Sequence, residues 1–220
     1  MRLIVNAIVG DIVSLMGKVA IEKAYPCIKI AWEFGRKSCI DVEHQSGPTN
    51  LIFTLNELRP FTERYGLTPT EMAILTSGAH GIANASNHEE NFLIPSFRFA
   101  NTTSGVEFIR VTANSVWDFF FESRVETGPK RDGLRIGRFP TDMMFFPTTL
   151  KKIASQKGVE GVRVDSSAET ARIEKTLLAL NETTFNARFG QVYAKMLRVG
   201  TSNLKWYSSG SSNSSSSTCS

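Results

Sequence analysis

Apolar side chains recur at helical spacing along much of the chain. In residues 3–23 they fall three or four positions apart, which is the period of an amphipathic helix. The apolar positions there are Ile4, Ile8, Ile12, Leu15, Met16 and Val19. We therefore predict a buried helix in which these six side chains face the core. Further helices are predicted at residues 50–65, 67–85, 168–180 and 183–199.

Three stretches between these helices lack such a period. Residues 25–48 are rich in Gly and Pro and are predicted to be mostly loop. Residues 87–105 are polar and are interpreted as an irregular insertion. Residues 115–125 contain Trp117 and three consecutive phenylalanines, a density of aromatic residues that is typical of core packing.

Composition places the chain among ordinary soluble globular proteins. It has 220 residues, of which 41% are hydrophobic and 21% charged, with a net charge of +4. That charge is spread along the chain, which argues against a dedicated nucleic-acid binder. No apolar run reaches the ~18 residues of a membrane span. The apolar N-terminus contains Asp11 and no clear cleavage site, so a buried helix is favoured over a signal peptide.

The end of the chain differs from the rest in composition. Residues 208–220 are almost entirely Ser, with Gly, Asn and Thr among them, and such a segment lacks the side chains to pack. We therefore predict one domain over residues 1–205 and a disordered tail over residues 206–220. The three cysteines, Cys27, Cys39 and Cys219, form no closed disulfide framework. Cys27 and Cys39 pairing across a loop and two free thiols are equal alternatives.

The helix at residues 67–85 carries a single histidine, His80, among very small neighbours. Thr68, Pro69 and Glu71 predict its first turn, with Thr68 and Glu71 forming a capping box. Gly78 and Gly81 flank His80, and small residues around one imidazole leave room for a broad, flat group. Four residues share the face of His80: Ala73, Thr76, Ala83 and Asn84. Four others are interpreted as core: Met72, Leu75, Ala79 and Ile82. The pattern alone favours a core histidine.

This segment resembles the proximal helix of the plant-type haem peroxidase superfamily. The matching residues are Gly66, Leu67, Glu71, Gly78, Ala79 and His80. The resemblance implies that His80 binds the iron of haem b and that Ala73, Thr76 and Ala83 lie beside the haem. The aromatic run at residues 115–125 likewise resembles a short helix of the family.

A second motif follows in the order that the family has. Pro140, Thr141 and Asp142 resemble the family's Leu-Pro-Ser/Thr-Asp run, which begins a late helix. There the aspartate accepts a hydrogen bond from Nδ1 of the proximal histidine, which raises the basicity of the ligand. The resemblance implies this role for Asp142, whereas its local sequence is also compatible with a simple helix cap.

The family's distal motif, Arg-x-x-Phe/Trp-His, does not occur in the 220 residues. The resemblance therefore implies a mainly α, helical haem-peroxidase-like domain that lacks its N-terminal distal helices. It implies the reduction of hydrogen peroxide with a small-molecule one-electron reductant, in response to oxidative stress. Two alternatives remain open: a catalytically weak haem-binding protein that uses the same His80, and a cofactor-free helical interaction module. A zinc site formed by His44, His80 and His88 fits no usual ligand spacing.

Overall fold

A computed structural model describes about two thirds of the chain. The described residues are 9–36, 54–82, 97–99, 104–114, 118–121, 124–125, 135–138, 144–157 and 164–206. Within these ranges the protein is mainly helical, as the sequence predicts, with seven helices and six short strands. The predicted tail lies outside the described residues, except for Trp206.

The helices follow the predicted order. They are α1 (Val9–Ala24), α2 (Leu55–Arg64), α3 (Pro69–Ile82), α4 (Gly105–Asn114), α5 (Pro147–Lys157), α6 (Ala168–Leu178) and α7 (Glu182–Leu197). Helix α4 was not predicted, because its sequence borders a segment that is polar and without a clear period. Helix α5 begins at Pro147. The motif with Asp142, which is predicted to start the late helix, comes before it, and residues 139–143 of that motif lie outside the described residues.

The strands are short and form two small sheets. They are β1 (Glu33–Phe34), β2 (Phe97–Phe99), β3 (Asp118–Phe121), β4 (Arg124–Val125), β5 (Arg135–Arg138) and β6 (Lys205–Trp206). Strands β1 and β6 pair antiparallel, with Glu33 opposite Trp206. The other sheet has the order β2-β5-β3-β4, in which β5 runs parallel to both β2 and β3.

The helix implied at residues 115–125 is wrong for the part that the structure describes. Asp118–Phe121 is strand β3, and Phe120 lies opposite Val125 of β4. Phenylalanine is common in strands as well as in cores, so a dense aromatic run does not by itself decide between the two structures. The predicted irregular insertion likewise contains strand β2.

Helix α3 is the centre of the helical packing. It contacts α2, α4, α6 and α7. The core around it is dominated by large aromatic and aliphatic side chains: Ile109, Phe146, Ile173, Leu177, Phe185 and Phe189, each at most 2% exposed. Phe185 and Phe189 stack with their ring centroids 6.1 Å apart. The α3 backbone is therefore fixed on several sides by close-packed neighbours.

Side chains satisfy the backbone groups at the helix starts. In α3 the N–H of Glu71 donates to Thr68 Oγ1 at 3.2 Å, and the N–H of Thr68 donates to Glu71 Oε2 at 2.7 Å. The predicted capping box is thus confirmed. The buried Glu174 of α6 accepts from the N–H groups of Thr148 and Thr149 in the first turn of α5, at 2.9 and 3.2 Å. A carboxylate there also complements the positive end of the helix dipole.

Helix α1 is turned the opposite way from the prediction. Its apolar residues Ile12, Leu15, Met16 and Val19 are exposed, whereas Asp11 is only 3% exposed. The Asp11 carboxylate accepts hydrogen bonds from Gly35 N at 2.9 Å, from Arg36 N at 3.3 Å and from Arg36 Nη1 at 2.8 Å. The predicted core-facing side of α1 is therefore wrong, because a buried ion pair fixes the polar side inward.

Arg36 also connects this ion pair to the end of helix α7. Its guanidinium also donates to the carbonyl oxygens of Glu33 and Leu197, at 2.6 and 2.9 Å. Since Leu197 is the last residue of α7, one arginine joins α1, β1 and α7. A guanidinium with this many acceptors is well compensated for its loss of water.

We expect the stability of the protein to fall in acid, partly because of Asp11. Burial raises the pKa of Asp11, but hydrogen bonds from Gly35 and Arg36 outweigh it and hold the pKa below its ordinary value. A carboxyl whose folded pKa lies below its unfolded value of about 3.9 stabilises the fold above that pH. This contribution is lost as the pH falls through the folded pKa. Urea unfolding at a series of pH values from about 6 to 2 should show the decrease.

The matched comparison for this prediction is Asp11→Ala. Its free energy of unfolding should depend less on pH than that of the wild type, because the titrating group is gone. Glu71 and Asp165 also have lowered pKa values, since their hydrogen bonds outweigh the effect of burial, so some acid sensitivity should remain. Parallel pH profiles for the two proteins would contradict the role given to Asp11.

Candidate functional site

His80 lies in the last turn of α3 and is half-buried. Thr76, one helical turn earlier, and Met72, two turns earlier, are also half-buried. Because residues four apart lie one above another on a helix, these three form a partly exposed strip along one side of α3. The adjoining side of the helix, with Ala73 and Ser77, is buried. The imidazole thus stands at the border between the core and an accessible surface.

The glycines beside His80 serve packing between helices. A Cβ added to Gly78 would lie 2.2 Å from two ring atoms of Phe189, and one added to Gly81 would lie 2.7 Å from the carbonyl oxygen of Ser104. The interpretation that these two glycines leave room for a flat ligand is therefore wrong. They allow α7 and the start of α4 to approach α3 closely.

We expect Gly78→Ala to destabilise the protein in spite of the better helix propensity of alanine. The added methyl group meets the buried ring of Phe189, and overpacking of this kind costs about 1–3 kcal/mol. Gly10→Ala is the matched control, because a Cβ at Gly10 of α1 would meet its nearest atom, Arg36 Cδ, at an ordinary 3.5 Å. Urea unfolding should show a loss for Gly78→Ala and none for Gly10→Ala. Equal stabilities for the two variants would contradict the packing role.

The other predicted site residues have different surroundings. Ala73 is 0% exposed, so a ligand would contact it only after its neighbours move. Met72 and Leu75 pack partly buried against the core, as predicted, whereas Ala79 is exposed and its assignment to the core is wrong. Ala83, Asn84, Asp142 and the side chain of Ile82 lie outside the described residues. The roles of Ala73, Thr76, Ala83 and Asp142 stay predictions.

Sequence reasoning missed an ion pair that holds the start of α3. Lys195 Nζ of α7 lies 3.1 and 3.0 Å from the two carboxylate oxygens of Glu71. Burial raises the pKa of Glu71, but hydrogen bonds from Thr68 and Lys195 outweigh it and lower the pKa. The capping motif identified Glu71, but no local signal could identify a partner 124 positions away. Together with the contact of Gly78 and Phe189, this pair fixes α3 against α7 at two levels.

A cavity of about 700 Å³ lies beside the start of α7, at the end of the α3–α7 pair opposite Lys195. Its lining includes Cys27, Lys29, Ser104, Glu182 and Asn186. Of the predicted site residues that the structure describes, Ala73, Thr76 and His80 are not among its described lining. Cys27 is disulfide-bonded, so the alternative in which it is a free thiol is wrong. Cys39 and Cys219 lie outside the described residues.

The described residues around His80 can be compared with what a bare metal ion and haem each require. Among the described residues, no three His, Cys, Asp or Glu side chains are grouped so as to hold a bare metal ion. His44 and His88, the other members of the considered zinc site, lie outside these ranges. Haem iron, by contrast, takes four ligands from the porphyrin and in many proteins needs only one histidine from the chain. In the part of the chain that can be described, no helix is long and apolar enough to cross a membrane.

Comparison with known proteins identifies the family of the chain. No curated protein matches the chain. The model of the peroxidase family matches residues 8–151, which is about two thirds of the 220 residues. The matched range runs from α1 into α5 and contains both His80 and Asp142. This match agrees with the resemblance to plant-type haem peroxidases, and the chain belongs to the peroxidase family.

Proposed function

We propose that the protein binds haem b through His80 and reduces hydrogen peroxide with electrons from a small-molecule donor, as part of a response to oxidative stress. The observation that carries the proposal is the position of His80. It is a half-exposed imidazole at the end of a tightly held helix, within a chain that belongs to the peroxidase family. When bound, haem would supply a redox-active iron for the transfer of electrons from the donor to peroxide.

In this proposal His80 would hold the haem iron through one ring nitrogen and would donate the N–H of the other. Asp142 is the proposed acceptor of that hydrogen bond. A carboxylate in this place orients the imidazole and makes it a more basic ligand. Thr76, one turn before His80 on α3, would help to hold the haem.

The surroundings of α3 support a rigid ligand. Glu71 is bonded to Lys195 near the start of the helix, and Gly78 packs on Phe189 near its end. Gly81 packs on the backbone of Ser104 directly after the histidine. A ligand on a helix fixed at several points loses little orientational freedom on binding, which favours affinity and a single geometry.

The proposal is tested by titrating the protein with hemin and following the Soret band. We expect saturation at one hemin per chain, and faster oxidation of a chromogenic one-electron donor by peroxide than free hemin gives. Non-saturable binding, equal for folded and urea-unfolded protein, would reject the cofactor and leave the helical interaction module.

A catalytically weak haem protein is the second candidate. It is favoured by the lack of an Arg-x-x-Phe/Trp-His run in the 220 residues, since those side chains transfer the proton and stabilise charge on peroxide. Stopped-flow mixing of the hemin complex with peroxide separates the candidates. A reaction no faster than that of free hemin would favour the binder or sensor over the enzyme.

A further inference from the structure

The sequence contains triplets of the form Asn-x-Ser/Thr in which x is not Pro. They begin at Asn84, Asn101, Asn181 and Asn213. Such a triplet is the acceptor of N-linked oligosaccharides in proteins that enter a secretory pathway. Asn181 lies within the described residues, and the other three asparagines lie outside them. The surroundings of Asn181 can therefore be compared with what an attached oligosaccharide requires.

Asn181 lies on the surface, directly before the first residue of α7. All three members of its triplet, Asn181, Glu182 and Thr183, are exposed. The backbone of Asn181 is extended, with φ −97° and ψ 172°, as in an ordinary N-cap residue. Since N-linked oligosaccharides are bulky and hydrophilic, they need an exposed position of this kind. An oligosaccharide at Asn181 would extend into solvent without displacing a core side chain.

The two ends of the Asn181 side-chain amide differ in their bonding. Its Oδ1 accepts hydrogen bonds from the N–H of Thr184 at 2.9 Å and from Thr184 Oγ1 at 2.8 Å. A backbone N–H can only donate, so the atom that it meets must be the amide oxygen. Within the described part of the chain, none of the hydrogen bonds of Asn181 uses Nδ2, the atom that carries an N-linked sugar. The amide can therefore cap α7 and carry an oligosaccharide at the same time.

Cys27 provides an independent indication of the compartment in which the chain folds. Its side chain is disulfide-bonded. Disulfides form and persist in oxidising compartments such as the lumen of the endoplasmic reticulum, and they are rare in the cytosol, where thiols are kept reduced. N-linked oligosaccharides are added in that same lumen. The disulfide and the triplet at Asn181 thus indicate the same route through the cell.

We propose that Asn181 carries an N-linked oligosaccharide. The donor is a lipid-linked oligosaccharide diphosphate. The bond between Asn181 Nδ2 and C1 of the first sugar forms, the bond between C1 and the diphosphate oxygen breaks, Nδ2 loses one proton, and the lipid diphosphate leaves. Because the amide keeps its carbonyl group, Oδ1 continues to accept from Thr184 and the cap of α7 is retained. The proposal does not depend on haem binding by His80.

Mass spectrometry of the whole protein isolated from its own cells tests the proposal. Trypsin releases residues 176–188 as one peptide, since Lys175 precedes it and Arg188 ends it. We expect this peptide to carry the additional mass of an oligosaccharide. Peptide-N-glycosidase should remove that mass and leave aspartate in place of Asn181. A peptide found solely at its unmodified mass before the enzyme is added would overturn the proposal.

Three variants of the whole chain, secreted from a eukaryotic host, test the part played by the triplet. Thr183→Ala should lose the oligosaccharide at Asn181, whereas Thr183→Ser should keep it, because serine retains the hydroxyl group that the triplet requires. Asn181→Asp should give the same peptide mass as the enzyme-treated wild type, and it should remain folded since aspartate is an equally good N-cap. Circular dichroism checks the fold of each variant. A wild-type chain secreted without modification at Asn181, or a Thr183→Ala chain that keeps it, would contradict the proposal.

Discussion

Replacing His80 by Ala should abolish stoichiometric hemin binding by the proposed haem protein. The imidazole is the proposed axial ligand, and loss of a residue that only orients a metal ligand already costs about 10–100-fold in affinity. We therefore expect an affinity at least about 100-fold weaker, measured by Soret titration. His80 is half-buried at the end of α3, so alanine there should leave the helix folded.

His44→Ala is the matched control for this experiment. It removes one of the three histidines of the chain without altering the proposed ligand, and it should bind hemin like the wild type. Unfolding curves for both variants separate loss of a ligand from loss of the fold. If His80→Ala keeps full hemin affinity while its stability falls, the histidine is an ordinary core residue and the interaction module is the better account.

Asp11→Ala should cause a large loss of stability. It removes the acceptor of three hydrogen bonds and leaves the Arg36 guanidinium, whose side chain is 9% exposed, without its carboxylate. Breaking a buried ion pair from one side costs about 3–5 kcal/mol. The measurement is the free energy of unfolding in urea at pH 7.

The control for Asp11→Ala is Glu169→Ala, which breaks the ion pair with Arg59. That pair is much more exposed, with the side chains of Arg59 and Glu169 47% and 30% accessible, and pairs of this kind contribute at most about 1 kcal/mol. A loss for Asp11→Ala as small as that for Glu169→Ala would show that the connection between α1, β1 and α7 is unimportant for stability.

Local patterns predicted the helices and their starts well. The apolar period gave α2, α3, α6 and α7, and the Thr68 and Glu71 pair gave the cap of α3. These features depend on residues within a few positions of each other. The strand at Asp118–Phe121 was missed because a run of phenylalanines fits a strand, a helix or a core equally well.

Contacts between distant segments could not be predicted. The apolar period of α1 is real, but it does not reveal which side is buried. That is decided by Arg36, which follows Asp11 by 25 positions. Gly35 and Arg36 are too short a motif to interpret alone, yet they fix the polar side of α1 inward. The use of Gly78 for close contact with Phe189 and the partnership of Glu71 with Lys195 are hidden for the same reason.

The motif around His80 identified the candidate site. Its proposed chemistry also depends on the second motif, which contains Asp142. The family match spans residues 8–151, the range in which both motifs lie. Contact between the side chains of His80 and Asp142 is a prediction from the resemblance. Ala73, chosen from the helical wheel alone, is enclosed by the core. A wheel places residues on a face but does not show how far the neighbouring helices cover it.

The central claim is that the His80 imidazole is the protein's ligand to haem iron. Its most direct test is hemin binding by His80→Gly with and without free imidazole in the buffer. We predict that the variant loses the Soret band of the wild-type complex and that millimolar imidazole, about the concentration needed for a weak ligand, restores it. A His80→Gly protein that binds hemin as tightly as the wild type, unaffected by imidazole, would contradict the claim.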